Sequence, residues 1–127
     1  MTAPVIPGLT DHEIPTILKA AVAAGAKHAG YVVLRLPHGL GPLFERWLEQ
    51  HFPDRKERIL GRVRELRGGK INDPKFGSRM KGEGIWADLI KDTFSLACKR
   101  AGIAGRGPKL STAAFRRPGE QRLLFDS

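Results

Sequence analysis

An α/β fold with a helical second half is what the sequence predicts, on three observations. The stretch from Ala3 to Pro37 reads as strand, helix, strand: an apolar run Val5-Ile6-Pro7-Gly8 that breaks at Thr10-Asp11, an amphipathic segment, and then Tyr31-Val32-Val33-Leu34-Arg35-Leu36-Pro37. The second run is nearly continuous in apolar residues, the pattern of a strand covered on both faces in a parallel sheet. Beyond Pro37 the alternation stops and helical periodicity takes over. Parallel strands need a crossover such as this helix, and the resulting unit builds both β/α barrels and open α/β sheets. Two strands leave most of such a sheet unpaired, so the chain is expected to begin in the middle of a larger fold.

Each element follows from its caps and stripe. Thr10 and Asp11 offer N-cap oxygens, Glu13 stands three residues after Thr10 as in a capping box, and Pro15 falls in the first turn, where a missing amide costs little. The helix should run to about Ala24 on the stripe Ile14, Ile17, Leu18, Ala21 and Val22, with Gly25 at C′. Gly39-Leu40-Gly41-Pro42 is a turn that places Pro42 at a first helical position, and Leu43, Phe44, Trp47 and Leu48 form the core-facing stripe of a short helix ending before Pro53. Asp54 and Glu57 make a second capping box for a helix whose apolar face is Ile59, Leu60, Val63 and Leu66, closed by Gly68-Gly69. Its other face carries Arg55, Lys56, Arg58, Arg62, Arg64 and Arg67, which reads either as a phosphate-binding surface or as a solvated face balanced by Glu57 and Glu65. A longer helix carries Trp86, Leu89, Ile90, Phe94, Ala97, Cys98 and Ala101 on one stripe and stops at Gly102.

Composition narrows the function classes. The 127 residues suit one small domain, no apolar run is long enough to span a membrane, and Met1-Thr-Ala-Pro-Val lacks the basic start of a secretory signal. A single cysteine, Cys98, excludes an intramolecular disulfide, so the cytoplasm is the default compartment. The net charge of +9 creates a field that attracts polyanions, and nucleic acid is the first partner to consider. The alternative is a domain that is basic for solubility alone.

The segment from Gly68 to Gly84 has almost no hydrophobic period and is too long for a minimal connector. Lys70, Asn72, Lys75, Arg79 and Lys81 suit an anion, while Gly77, Gly82 and Gly84 allow close backbone approach. Its glycine spacing matches neither a Rossmann fingerprint nor a Walker loop. A solvated loop is the other reading. Cys98 sits on an apolar stripe and reads as core. His12, His28, His38 and His51 form no zinc set, although His38 follows a strand end, where a barrel active site would lie and where a turn residue is equally expected. Ser78, Ser95 and Ser111 sit in no nucleophile elbow.

The wording of these segments carries a resemblance. Pro4-Val5-Ile6-Pro7-Gly8-Leu9-Thr10-Asp11-His12-Glu13-Ile14 resembles the penultimate strand and loop of radical S-adenosylmethionine enzymes, and Tyr31 to Pro37 their last barrel strand. Arg67-Gly68-Gly69-Lys70-Ile71-Asn72-Asp73, Phe76-Gly77-Ser78-Arg79-Met80 and Gly82-Glu83-Gly84 resemble the C-terminal region of the spore photoproduct lyase-like branch, whose members are often called DNA repair photolyases. The resemblance implies a terminal βαβ unit of a partial (β/α) barrel over residues 1–38, a mostly helical C-terminal extension over 39–104 with its basic Gly-rich loop at 68–84, and an irregular tail over 105–127. It also implies that the complete protein uses a 4Fe-4S cluster to cleave S-adenosylmethionine reductively, giving a 5′-deoxyadenosyl radical that abstracts hydrogen from substrate. That family holds its cluster on a Cys-x-x-x-Cys-x-x-Cys loop, which is absent here, so the chain alone is not expected to be catalytically competent and needs the missing N-terminal barrel portion. By the same resemblance Pro7, Gly8 and Leu9 would touch S-adenosylmethionine, and Arg35, Lys70, Asn72 and Arg79 would contact substrate or nucleic acid.

The tail holds a second resemblance. Gln121-Arg122-Leu123-Leu124-Phe125 is similar to the peptide that docks on bacterial DNA sliding clamps, in which a glutamine and a terminal Leu-Phe pair fill an apolar cleft; Gln121, Leu124 and Phe125 would be the anchors. Arg122 stands where that pattern usually has leucine. The other reading is an amphipathic tail that folds back on its own domain.

Overall fold

The computed structural model describes residues 1–105 and 107–116, which form a mostly helical α/β arrangement around one two-stranded parallel sheet. Strand β1 (Thr2–Val5) and strand β2 (Tyr31–Val33) pair with Thr2 opposite Tyr31 and Val5 opposite Val33, and helix α1 (Ile14–Ala23) is the crossover. Three steps along β1 match two along β2, so the ladder carries a bulge. Pro4, which has no N–H to give a ladder, lies within it.

The first strand lies earlier than the apolar run suggests, because Ile6 to Thr10 folds into a tight turn. The Ile6 carbonyl accepts the Leu9 and Thr10 amides at 3.0 and 2.9 Å, and Thr10 Oγ1 accepts the Ile6 amide at 2.8 Å. Asp11 Oδ2 accepts the Gly8 amide at 3.0 Å. These side-chain bonds give the backbone an alternative to the ladder. They also engage the oxygens expected to cap α1, which starts instead through a 3-10 turn at Asp11–Glu13 with no side-chain cap. At its other end the Gly25 and Ala26 amides reach the Val22 and Ala21 carbonyls, both at 2.9 Å, in the double closure expected around a C′ glycine.

Three further helices follow: α2 (Leu40–His51), α3 (Lys56–Leu66) and α4 (Ile85–Ala101). Pro42 is the third residue of α2 rather than the first, and Leu43 and Trp47 of its predicted core stripe are 62% and 39% exposed. Trp47 instead joins a surface aromatic layer with Phe44, His51 and Phe52 at centroid distances of 5.8, 5.4 and 5.4 Å. The capping box at Asp54 and Glu57 does not form, whereas Ile59, Leu60, Val63 and Leu66 are all buried.

Two apolar clusters hold these elements together. Val5, Ile14, Leu18, Tyr31 and Val33 pack with Leu66 and with Ala87, Ile90, Phe94, Ala97 and Cys98 of α4; Ile6, Leu9 and Leu36 pack with Leu48, Ile59, Leu60 and Val63. Both clusters draw on residues from either side of residue 38. Burial among them pushes the Cys98 thiol pKa up, the expected state of an inert core cysteine. No helix among the described residues is long and apolar enough to cross a membrane.

The two edges of the sheet differ. Along the outer edge of β2, the Val33 amide donates to the Met80 carbonyl at 2.9 Å and Lys81 Nζ donates to the Tyr31 carbonyl at 2.7 Å. Among the described residues the sheet has only these two strands, so the outer edge of β1 carries no third one.

Candidate functional site at the carboxyl end of the sheet

Because the strands are parallel, the chain leaves both at the same end, the end where open α/β sheets place their ligands. The Pro7-Gly8-Leu9 turn follows β1, and Leu34-Arg35-Leu36 follows β2. A strap running from Gly68 to Gly84 folds beside them, fastened at three points.

Arg67 is the first fastening. Only 4% exposed at the end of α3, it donates through Nη2 to the Leu34 carbonyl at 2.7 Å and through Nη1 to the Ser78 carbonyl at 3.1 Å. It therefore ties the residue before Arg35 to the residue before Arg79. Burial lowers the Arg67 pKa, the Asp73 carboxylate opposes that shift, and the neighbouring Arg35 charge adds to it.

Asp73 is the second fastening. Its Oδ1 accepts the Lys75 amide at 2.9 Å and its Oδ2 accepts the buried Ser78 hydroxyl. The Ser78 and Lys75 hydrogen bonds hold the carboxyl below its ordinary value of 3.8, so the charged form favours the closed strap. With the folded pKa depressed, this contribution is complete above pH 3.8 and is lost as pH falls through the lower folded value. Amide protection across residues 70–82, corrected for intrinsic exchange, is expected to drop in that acidic window. Asp73→Asn should show the reduced protection at neutral pH and remove the pH dependence.

Gly82 is the third. Its φ of +74° lies in the left-handed region, and a Cβ there would stand 2.9 Å from Leu66 Cδ2 and 3.2 Å from the Leu66 carbonyl oxygen. The bare backbone allows the Glu83 amide to donate to that carbonyl at 3.0 Å. Gly82→Ala should cost about 1–3 kcal/mol through strain and displacement of the strap, read as a lower urea midpoint.

Around these fastenings the cationic side chains gather. Arg35 Nη1 lies 4.0 Å from Met80 Sδ, and the Arg79 guanidinium sits over the Phe76 ring at 4.7 Å. Among the described residues, the buried side-chain polar atoms without a hydrogen-bond partner are Arg35 Nε, Arg67 Nε, Arg79 Nε and Asn72 Oδ1, all in this one region. Lys81 lies to the side, with Nζ 3.4 Å from the Tyr31 ring centroid, and burial lowers its pKa.

The predicted site residues thus fall into separate groups. Arg35, Asn72 and Arg79 share the strap region, while Lys70 is exposed near its start. Pro7 and Leu9 are buried, and the Gly8 and Leu9 amides are engaged inside their own turn. Gly8 is half-buried beneath Arg62, whose Nη1 would stand 2.6 Å from a Cβ there and whose guanidinium lies 4.1 Å over Trp86. His38 is an exposed turn residue with φ of +47°. Gln121, Leu124 and Phe125 lie outside the described residues.

From the sequence Arg67 falls on the charged face of α3, read either as phosphate-binding or as solvated, whereas the structure buries it. The signal was available: Arg67 follows Val63 by four residues and Leu60 by seven, which is the spacing of the buried stripe. Comparison with protein-family models, curated proteins and solved structures finds no match to this chain.

Proposed function

We propose that this chain is the C-terminal part of a radical S-adenosylmethionine, iron-sulfur enzyme resembling the DNA repair photolyases, supplying the last βαβ unit of a partial (β/α) barrel and a strap that faces substrate. The observation that carries this reading is the asymmetry of the sheet: the outer edge of β2 is covered by residues 80–81, while β1 has no further strand beside it among the described residues. A last barrel strand with its edge covered by the C-terminal extension, preceded by a strand open to earlier ones, has that form.

The cluster itself does not fit on this chain. A 4Fe-4S site needs cysteine thiolates grouped around one point, whereas Cys98 is the sole cysteine and lies in the core. Among the described residues no three His, Cys, Asp or Glu side chains come together as a metal site. The ligands would belong to a portion of the polypeptide that precedes this one. What this chain would supply is binding: the Arg35, Asn72 and Arg79 group borders the substrate, and in the Pro7-Gly8-Leu9 turn the half-buried Gly8 is the residue left to border the cofactor.

Translation of the genomic DNA upstream of the Met1 codon, in frame, tests the reading. An open frame encoding Cys-x-x-x-Cys-x-x-Cys upholds it. A stop codon and a ribosome-binding site immediately upstream overturn it and leave a basic nucleic-acid-binding module, which the charge of +9 favours.

A further inference from the structure

Three guanidinium groups lie in the strap region beside β2, and the acid whose charge reaches them, Asp73, forms an ion pair with none of them. Arg67 holds the carbonyls of Leu34 and Ser78, and the next residue in each case is an arginine, Arg35 and Arg79. Among the described residues the ion pairs are those of Lys56 with Glu45 and Glu49, so none of the three has a carboxylate partner. Of the two acids of the strap, Asp73 is engaged by Ser78 and the Lys75 amide, and Glu83 pairs with none of the three arginines.

Each of the three also has a buried Nε with no acceptor. A buried donor without a partner costs free energy that a water or ligand offsets, and three such donors fall in this one region. Arg67 is the most telling of them, being almost wholly buried and held rigidly by its two carbonyl bonds. The Nε edge of guanidinium pairs with two oxygens of one anion, a geometry lysine does not offer. Asn72 belongs to the same set: its Oδ1 is buried and unpartnered, and a half-turn of the amide presents the Nδ2 donor in its place.

We infer that Arg35, Arg67, Arg79 and Asn72 form a binding site for a phosphate monoester. Charge selects that ligand among oxyanions. Three guanidiniums and the Lys75 ammonium against the Asp73 carboxylate leave a local excess of three positive charges, which suits a monoester carrying about −1.5 to −2 near pH 7 better than an internal phosphodiester carrying a single charge. Phe76 lies beside the site, 84% exposed, with Arg79 on one face of its ring. It provides a surface on which the base of a nucleotide or of a phosphorylated strand end stacks. The inference rests on this cluster and holds whether or not the chain belongs to a radical enzyme.

Calorimetric titration of the chain at pH 7.5 tests it, first with inorganic phosphate and then with a short oligonucleotide prepared with and without a 5′-phosphate. Saturable phosphate binding is expected, weakened about tenfold or more in Arg35→Ala and in Arg79→Ala, the loss of one charge-assisted contact. Arg55→Ala, at an exposed position just before α3, should bind as the parent does. Arg35→Lys and Arg79→Lys keep the charge but lose Nε, and circular dichroism verifies that they fold. If they bind like the parent, the site is not the one described. The phosphorylated oligonucleotide should displace phosphate and the unphosphorylated one should not. Equal displacement by both overturns the monoester assignment, and no saturation up to about 50 mM phosphate overturns the site.

Discussion

Arg67→Ala is expected to lower stability by about 2–4 kcal/mol, the largest loss for any substitution in or beside the strap. Two effects oppose each other. Removing the guanidinium relieves a buried charge and its repulsion with Arg35, which is a gain. It also removes both donors from the Leu34 and Ser78 carbonyls and leaves a hole where a large side chain was almost wholly buried. Charge-assisted hydrogen bonds contribute about 1.5–3 kcal/mol each, so the loss outweighs the relief. Arg67→Met separates the terms, because it restores most of the volume but neither bond. It should recover only part of the stability. The local signature is faster amide exchange at Val33, whose partner is the Met80 carbonyl, and across the strap. A loss below about 0.5 kcal/mol with unchanged exchange would mean that Arg67 fastens nothing.

Leu48→Ala should cost about 2–5 kcal/mol, the range for deleting most of a large aliphatic side chain from a core. The upper part of that range is expected for a specific reason. Leu48 is 0% exposed, and within α2 only Leu48 and Gly41 are buried. Of the rest of the predicted stripe, Leu43 and Trp47 lie outward and Phe44 is only partly buried against the same cluster, so Leu48 is the chief anchor of the helix to Ile59, Leu60 and Val63 of α3. Remaining contacts such as the pairing of Lys56 with Glu45 and Glu49, at 3.5 and 3.7 Å, are partly exposed and contribute little. Urea melts give the total, and hydrogen exchange locates it: α2 should lose protection first while α1 and α4 keep theirs. Uniform loss across the chain would place Leu48 in a single indivisible core instead.

The pairing of β1 with β2 through α1 was legible because apolar runs and a helical stripe are local patterns. The stripe of α3 was legible for the same reason, and it reached one residue further than it was read, to Arg67. Caps were not legible. Thr10 and Asp11 carry the same oxygens whether they cap a helix or bind the turn behind them, and the choice depends on the burial of Ile6, Pro7 and Leu9, a tertiary fact. The outward turn of Leu43 and Trp47 is of the same kind, since a helix offers more apolar surface than its one neighbour covers. Within the strap no period exists to read, and glycine spacing alone did not reveal that Gly82 meets Leu66 or that Asp73 binds Ser78. Of the residues singled out by type, Arg35, Asn72 and Arg79 fall in one region with Arg67, whereas Lys70 stands exposed at the start of the strap.

Anaerobic purification of the polypeptide that carries this sequence in its source cells, followed by iron and sulfide analysis and assay of S-adenosylmethionine cleavage, tests the central proposal most directly. A chain longer than these 127 residues that holds an iron-sulfur cluster and releases 5′-deoxyadenosine under reducing conditions is expected. A 14.0 kDa polypeptide with no iron and no cleavage activity would contradict it.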